Sequence, residues 1–144
     1  MDKDSCIILE PVNRPQIDKA IKEGIKIFIG GNCSTTLSLL DLAAVIKADL
    51  VEWMSIMTYQ SASGGGAEEV REFITQSCYI SSNLKYEDLA HQAPILQLVK
   101  RVGELISSSE LPTEALGAPL MGSFIPWIDS DLGDGNSREE WKAR

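Results

Sequence analysis

The sequence is poor in the side chains that usually build metal sites and disulfide frameworks. It has one histidine and three cysteines in 144 residues. The cysteines, Cys6, Cys33 and Cys78, are far apart, with no C-x-x-C pair and no neighbouring histidine. This odd number and wide spacing support neither a zinc site nor paired disulfides. We therefore predict no metal site, and we interpret Cys6 and Cys78 as packing residues.

Positive charge and long apolar runs are also scarce. The 13 lysines and arginines are outnumbered by 21 acidic residues, for a net charge of −8, and no basic run occurs. This balance argues against nucleic acid or an anionic membrane as a partner. No run approaches the roughly 18 apolar residues of a membrane span, and residues 1–5 are too polar and acidic for a signal peptide. We expect a cytoplasmic protein, an enzyme or a subunit of one.

The first thirty residues have the pattern of a strand, a helix and a second strand. Residues 6–9 are a short apolar run, and residues 25–29 are another. Between them, Asn13 can cap a helix with Pro15 in its first turn, and Gly24 ends it. Elements of these lengths form a βαβ unit, which predicts a parallel sheet and an α/β fold.

Further elements follow from the spacing of apolar residues. Apolar periodicity predicts a helix from Cys33 to about residue 48, and alternation predicts a half-buried strand over residues 50–59. The next predicted helix ends at about residue 79 and has on its buried face Val70, Phe73, Ile74 and Ser77. Loops are predicted over residues 81–93 and 111–126. A helix from Pro94 has on one face Ile95, Leu98, Val99, Val102 and Ile106, and a last helix is capped at Ser137.

Cys33 is the most informative single residue. It follows the strand and the sequence Gly30-Gly31-Asn32, and it opens the next helix. Free backbone N–H groups and the positive end of the helix dipole stabilise a thiolate at such a position. This favours a nucleophile, although a small, buried apolar cysteine is the alternative.

Other candidates are weaker when taken alone. Gln60 precedes a glycine-rich loop, residues 63–66, whose N–H groups could hold a phosphate, but the loop lacks a P-loop lysine and the G-x-G-x-x-G spacing. A permissive turn is the alternative there. Glu139 and Lys142 have the spacing of a surface ion pair. His91 lies in a polar stretch, where a solvated histidine is the default.

Five blocks, in their order and spacing, carry a resemblance to a known family. They are ILEPVN (8–13), GGNC (30–33), TYQSASGGG (58–66), SFIPWI (123–128) and SREEWK (137–142). Together they resemble the middle of the bacterial aspartate-semialdehyde dehydrogenases, in particular the Gram-negative branch. The resemblance covers essentially the whole chain, and we expect the chain to be an internal fragment of such an enzyme.

The resemblance implies a domain organisation and a reaction. Residues 1–31 would be the C-terminal remnant of an NADP-binding, Rossmann-like domain, and residues 32–144 a partial α+β catalytic and dimerisation domain. The implied reaction is the NADP-dependent interconversion of L-aspartyl 4-phosphate and L-aspartate 4-semialdehyde through a cysteine thioester. It belongs to the biosynthesis of lysine, threonine and methionine. A homodimer is also implied.

The resemblance further implies a role for each matching residue. Cys33 would be the nucleophile, Asn32 would help to hold the site, Gln60 would orient the substrate, Ser63 and Gly64 would contact NADP, Glu139 would hold the substrate's amino group, and Lys142 would meet the phosphate.

Some family features have no counterpart in this sequence. The family's glycine-rich nucleotide loop is missing, and its catalytic histidine and substrate-binding arginine follow the segment that matches Lys142. We therefore expect the isolated chain to be inactive as a dehydrogenase, with no NADP-dependent oxidation of aspartate semialdehyde. An inactive dimerisation or binding module is the alternative. A weaker alternative is a related enzyme, such as an N-acetylglutamyl-phosphate reductase or a phosphorylating glyceraldehyde-phosphate dehydrogenase. The Gln60 block and the Glu139–Lys142 block argue against this alternative.

Overall fold

A computed structural model describes residues 4–89 and 94–142, which form two compact units. The first unit contains the described residues up to Thr58 and from Asp129 onward, and the second contains the described residues between Tyr59 and Ile128. The elements are strands β1 (Ser5–Ile8) and β2 (Ile27–Gly30), helices α1 (Arg14–Lys22), α2 (Cys33–Lys47), α3 (Ala67–Asn83), α4 (Tyr86–Leu89), α5 (Ile95–Ile106) and α6 (Arg138–Trp141), and a 3₁₀ turn at Ala62–Gly64.

The predicted βαβ unit is confirmed. β1 and β2 pair in parallel, with Cys6 opposite Phe28. α1 buries Ile17 and Ala20 against Cys6, and Ile25 and Phe28 pack onto this cluster. Cys6 is therefore a packing residue, as predicted, and the mixed α/β class is correct.

Asn13 stands at the predicted cap position of α1, but its side chain makes different bonds. Its Oδ1 accepts from the Leu9 N–H at 2.9 Å, and its Nδ2 donates to the Ile7 carbonyl at 2.8 Å. No side-chain cap bond to the helix is present. Asn13 thus closes the turn between β1 and α1 instead of capping the helix.

The predicted strand over residues 50–59 is wrong. This segment has no regular structure, and the side chains of Trp53, Met57 and Tyr59 are 79%, 82% and 91% exposed. Alternation shows only that a segment would suit a pleated surface, and a strand also needs a neighbour to bond. Among the described residues, β1 and β2 pair only with each other.

α3 packs in the second unit through polar side chains. The predicted buried face included Ile74, which is 55% exposed, whereas the buried residues of α3 are Glu72, Gln76 and Ile80. Glu72 accepts hydrogen bonds from the N–H groups of Ala115 (2.7 Å) and Leu116 (2.9 Å). The spacing of apolar residues does not identify a buried face that is made of polar side chains.

Gln76 shows why that face is polar. It is 0% exposed; its Oε1 accepts from Leu120 N (2.9 Å) and Met121 N (3.0 Å), and its Nε2 donates to the Pro112 carbonyl at 2.8 Å. The irregular segment 111–126 was correctly predicted, and its backbone groups have few partners of their own. Buried backbone groups need hydrogen bonds, so the helix beside them supplies side-chain donors and acceptors.

The remaining helices differ in detail from the prediction. α3 continues to Asn83 and α4 lies within the predicted loop over residues 81–93. α5 is confirmed, but Ile95 and Val99 are 66% and 61% exposed, and Leu105 is the residue that is buried, with Ile80 and Leu111. Cys78 is exposed, so its interpretation as a packing residue is wrong.

Within residues 4–89 and 94–142, none of the helices has the length and apolar character of a membrane span. In the same part of the chain, there is also no group of three or more His, Cys, Asp or Glu side chains that could hold a metal ion. The predicted boundary at residue 31 stays a prediction.

Candidate active site

The site begins where β2 ends and α2 starts. Asn32 is the N-cap of α2, and its Oδ1 accepts from the N–H of Thr35 at 3.1 Å and from the Thr35 hydroxyl at 3.1 Å. An asparagine that bonds the third residue onward satisfies one of the open N–H groups at a helix start. Cys33 is therefore the first residue of α2, as predicted.

Gly31 allows this tight entry into the helix. A Cβ atom at Gly31 would lie 2.6 Å from Thr36 Oγ1 and 3.7 Å from Ile7 Cγ2. At Gly30, by contrast, a Cβ atom would meet nothing within 4 Å. The second glycine of the pair is thus the one that the packing requires.

The thiol of Cys33 is exposed. Its Sγ lies 3.9 Å from the Ser34 hydroxyl. The alternative of a small cysteine buried in apolar packing is therefore wrong for Cys33. The thiol therefore stands exposed at the N-terminus of a fifteen-residue helix, where a ligand has access to it.

Asn32 links the start of α2 to a carboxylate that is remote in sequence. Its Nδ2 donates to Glu139 Oε1 at 3.0 Å. Glu139 lies in the first turn of α6, whose capping box is formed by Ser137 and Glu140 as predicted. Because the capping box fixes the first turn of α6, the Glu139 carboxylate is held beside Asn32.

Lys142 completes this network. Its Nζ donates to Glu139 Oε2 at 3.0 Å and to Asp129 Oδ2 at 3.2 Å. The hydrogen bonds to Glu139 and to Asp129 raise the pKa of Lys142. A hydrogen bond from the Ser130 N–H, and then the one from Lys142, lower the pKa of Asp129. Both shifts favour the charged forms of Lys142 and Asp129.

The other predicted site residues lie together in the second unit. Gln60, Ser63 and neighbouring residues line a cavity of about 520 Å³ whose far side includes Phe73 and residues 120–123. The Ser61 and Ser63 hydroxyls are hydrogen-bonded, and a Cβ atom at Gly64 would lie 3.4 Å from Gln60 Oε1. The loop therefore brings Gln60, Ser63 and Gly64 together, as one group.

Sequence reasoning missed Asp129 and Thr35, both of which belong to the hydrogen-bonded group at the start of α2. Asp129 follows the SFIPWI block and has no periodic or motif signal. Thr35 could have been found, because it lies three residues after Asn32, which is the spacing of a side-chain cap. His91, considered a weak candidate base, lies outside the described residues.

The family follows from a comparison with known protein families. Residues 42–144 match the model described as "Semialdehyde dehydrogenase, dimerisation domain". The chain belongs to the semialdehyde dehydrogenase family, since this match covers most of its length. It is also similar to the solved structure of aspartate semialdehyde dehydrogenase from Francisella tularensis, with 38% sequence identity and a TM-score of 0.86.

That similarity covers 99% of this chain and 38% of the Francisella chain. The resemblance inferred from the five sequence blocks is therefore confirmed at the level of the family. The chain spans well under half the length of this solved relative.

Proposed function

We propose that this chain carries the nucleophile and part of the substrate site of an NADP-dependent aspartate-semialdehyde dehydrogenase. The observation that carries the proposal is the group at the start of α2: an exposed thiol next to a capping asparagine, which is itself bonded to a carboxylate paired with a lysine. The match to the semialdehyde dehydrogenase family supports this reading over an inactive binding module.

In the proposed reaction the Cys33 thiolate attacks the acyl carbon of L-aspartyl 4-phosphate. A sulfur–carbon bond forms, the carbon–oxygen bond to phosphate breaks, and inorganic phosphate leaves. The thiolate is the nucleophile in the attack and the leaving group when the aldehyde is released with cleavage of the sulfur–carbon bond. The thioester remains electrophilic enough to be reduced to the aldehyde.

Glu139 and Lys142 have complementary roles in the proposal. The Glu139 carboxylate would hold the ammonium group of the aspartyl substrate, because it is a shielded anion with a side chain only 16% exposed. Lys142 would meet the phosphate as a point charge. Asn32 would keep the carboxylate beside the nucleophile through its 3.0 Å hydrogen bond.

The second unit would serve the cofactor and the substrate. Ser63 and Gly64 would contact NADP, and Gln60 would orient the substrate. The loop is open to a bound group, because Ser63, Gly64 and Gly65 are exposed. The nicotinamide cofactor, when bound, supplies or accepts the hydride. No metal takes part in the proposal.

We further propose a cytoplasmic homodimer. The matched model is a dimerisation domain. This description supports a second copy of the chain as the partner of the domain.

The test is acyl transfer to the chain itself. L-aspartyl 4-phosphate, generated in place by an aspartate kinase with ATP, is incubated with the purified protein, and cysteine peptides are analysed by mass spectrometry. We expect an aspartyl group on Cys33, removable by hydroxylamine as thioesters are. Cys33→Ala should lose the adduct and Cys78→Ala should keep it. Equal labelling of Cys33 and Cys78, or no labelling, would contradict the proposal.

A further inference from the structure

We infer that Asp129 is a positioning residue for Lys142, holding its ammonium group at Glu139 with one N–H donor left to face an anion. The anion-binding role of Lys142 rests on the proposed function, whereas the positioning itself does not. The inference begins from the two contacts of the Lys142 Nζ, at 3.0 Å to Glu139 and 3.2 Å to Asp129.

The geometry of the lysine supports this role. A lysine ammonium carries three N–H donors on a flexible stem. With a single carboxylate partner, it can swing about that contact. Two carboxylates on different segments fix its position, and they direct the third donor away from both. Lys142 and Asp129 side chains are each about one third exposed, so that third donor remains accessible.

Asp129 is itself held firmly. Its backbone is in the left-handed region (φ 69), which aspartate and asparagine tolerate better than most residues. In that conformation its Oδ1 accepts from the Ser130 N–H at 2.7 Å, leaving Oδ2 for Lys142. One carboxylate oxygen thus anchors the side chain to the adjacent Ser130 N–H, while the other binds the lysine.

The chain between Asp129 and Lys142 forms a closed frame. Asp131 and Ser137 form an antiparallel bridge, and the Arg138 N–H donates to the Ser130 carbonyl at 2.8 Å. Since Ser137 also caps α6, the segment with Asp129 and the helix turn before Lys142 are joined by backbone bonds. Exposed ion pairs contribute little to stability, so what this frame supplies is a defined position for the ammonium.

The test compares Asp129→Asn with Asp131→Asn in the 144-residue chain. Asparagine keeps the left-handed backbone and an oxygen for the Ser130 N–H, but it removes the ion pair. Asp131→Asn removes one charge from the same loop and retains an acceptor for the Gly133 N–H. The readout is the pair of Hε protons of Lys142 in NMR spectra that select lysine side chains, with amide spectra as the check on folding.

A fixed lysine shows two distinct Hε resonances, and a freely rotating one shows a merged pair. We expect two resonances in the wild type and in Asp131→Asn, and a merged pair in Asp129→Asn with the amide spectrum otherwise preserved. Two resolved resonances in Asp129→Asn would overturn the inference. So would a merged pair in the wild type.

A titration with inorganic phosphate separates this inference from the proposed function. We expect phosphate to shift the Lys142 signals in the wild type, and about threefold weaker binding in Asp129→Asn than in Asp131→Asn. If phosphate binds both variants equally, positioning fails while the role of Lys142 stands. If Asp129 fixes the lysine but phosphate does not shift the Lys142 signals, the inference about Asp129 stands and the proposed role of Lys142 in binding phosphate fails.

Discussion

The side-chain amide of Asn32 donates to the carboxylate of Glu139 at 3.0 Å, although the two residues are 107 positions apart in the chain. This bond joins the cap of α2 to the first turn of α6. It therefore ties the helix start that carries the exposed thiol of Cys33 to the charged residues of the proposed substrate site. The asparagine uses its oxygen for the helix and its nitrogen for the carboxylate.

Substitutions of Asn32 should separate these two functions. Asn32→Ala removes the cap and should lower the free energy of unfolding by about 1 kcal/mol. Asn32→Ser keeps a capping oxygen, so its unfolding free energy should lie within a few tenths of the wild-type value. Its hydroxyl is one bond shorter than the asparagine amide and, while it caps the helix, does not reach Glu139. Urea unfolding measures the first effect. Equal destabilisation by alanine and serine would contradict the capping role.

The same pair of variants tests the second function. Both should reduce aspartyl transfer to Cys33, since neither can hold Glu139. A serine variant with wild-type acylation would show that the bond from Asn32 to Glu139 has no part in the site.

The two glycines before α2 should respond differently to alanine. Gly31→Ala places a Cβ atom 2.6 Å from Thr36 Oγ1, so it should destabilise the chain by about 1 to 3 kcal/mol through overpacking. Gly30→Ala meets nothing within 4 Å and should be neutral or slightly stabilising. Thermal unfolding of the two variants side by side checks this, and equal melting temperatures would contradict the packing of Gly31.

Gln76 should be intolerant of an apolar replacement of similar size. Gln76→Leu leaves the N–H groups of Leu120 and Met121 without their acceptor in a buried position. An unsatisfied buried donor is costly, so we expect a loss of about 2 kcal/mol or more in unfolding free energy. Gln97→Leu, on the exposed surface of α5, is the matched control and should change little. Similar losses in both variants would contradict the role of Gln76.

The ion pair of Asp129 and Lys142 should give a defined pH dependence. The pKa of Asp129 is lowered from its ordinary value of 3.8, so its contribution to stability is present above that pH and is lost as the pH falls through the lower, folded value. The pKa of Lys142 is raised from 10.5, so its contribution is present below 10.5 and is lost as the pH rises through the higher, folded value.

Unfolding midpoints of the wild type and Asp129→Asn measure this dependence. The difference between the two proteins should be constant across neutral pH and should shrink only in acid, below about pH 4, and in strong alkali. Asp131→Asn reports the general effect of removing one negative charge. A difference that already vanishes near pH 6 would contradict the pairing.

Local signals in the sequence predicted the first unit well outside residues 50–58. The βαβ pattern of residues 6–29, the start of α2 at Cys33 and the capping box at Ser137 all depend on neighbouring residues, and all are confirmed. Glu139 and Lys142 could be expected to pair from their spacing alone. The bond of Glu139 to Asn32 could not, because it joins positions that only the folded chain brings together.

The failures have a physical cause in tertiary structure. Residues 50–59 alternate as a strand does, but periodicity cannot show whether another strand lies alongside. Glu72 and Gln76 look like solvated helix positions, and they are buried because the segment opposite them exposes backbone donors. Asp129 depends on a left-handed backbone and a frame closed by residues 130–138, which no short pattern encodes.

The most direct test of the central claim, that α2 presents Cys33 as an activated nucleophile, is a competition within one molecule. Cys33 and Cys78 are both exposed, but only Cys33 lies at the start of a helix. Limited alkylation with iodoacetamide at pH 7, quantified by mass spectrometry of the two peptides, gives their relative rates. We expect Cys33 to react about tenfold faster than Cys78. Equal rates, or a faster reaction at Cys78, would contradict the account.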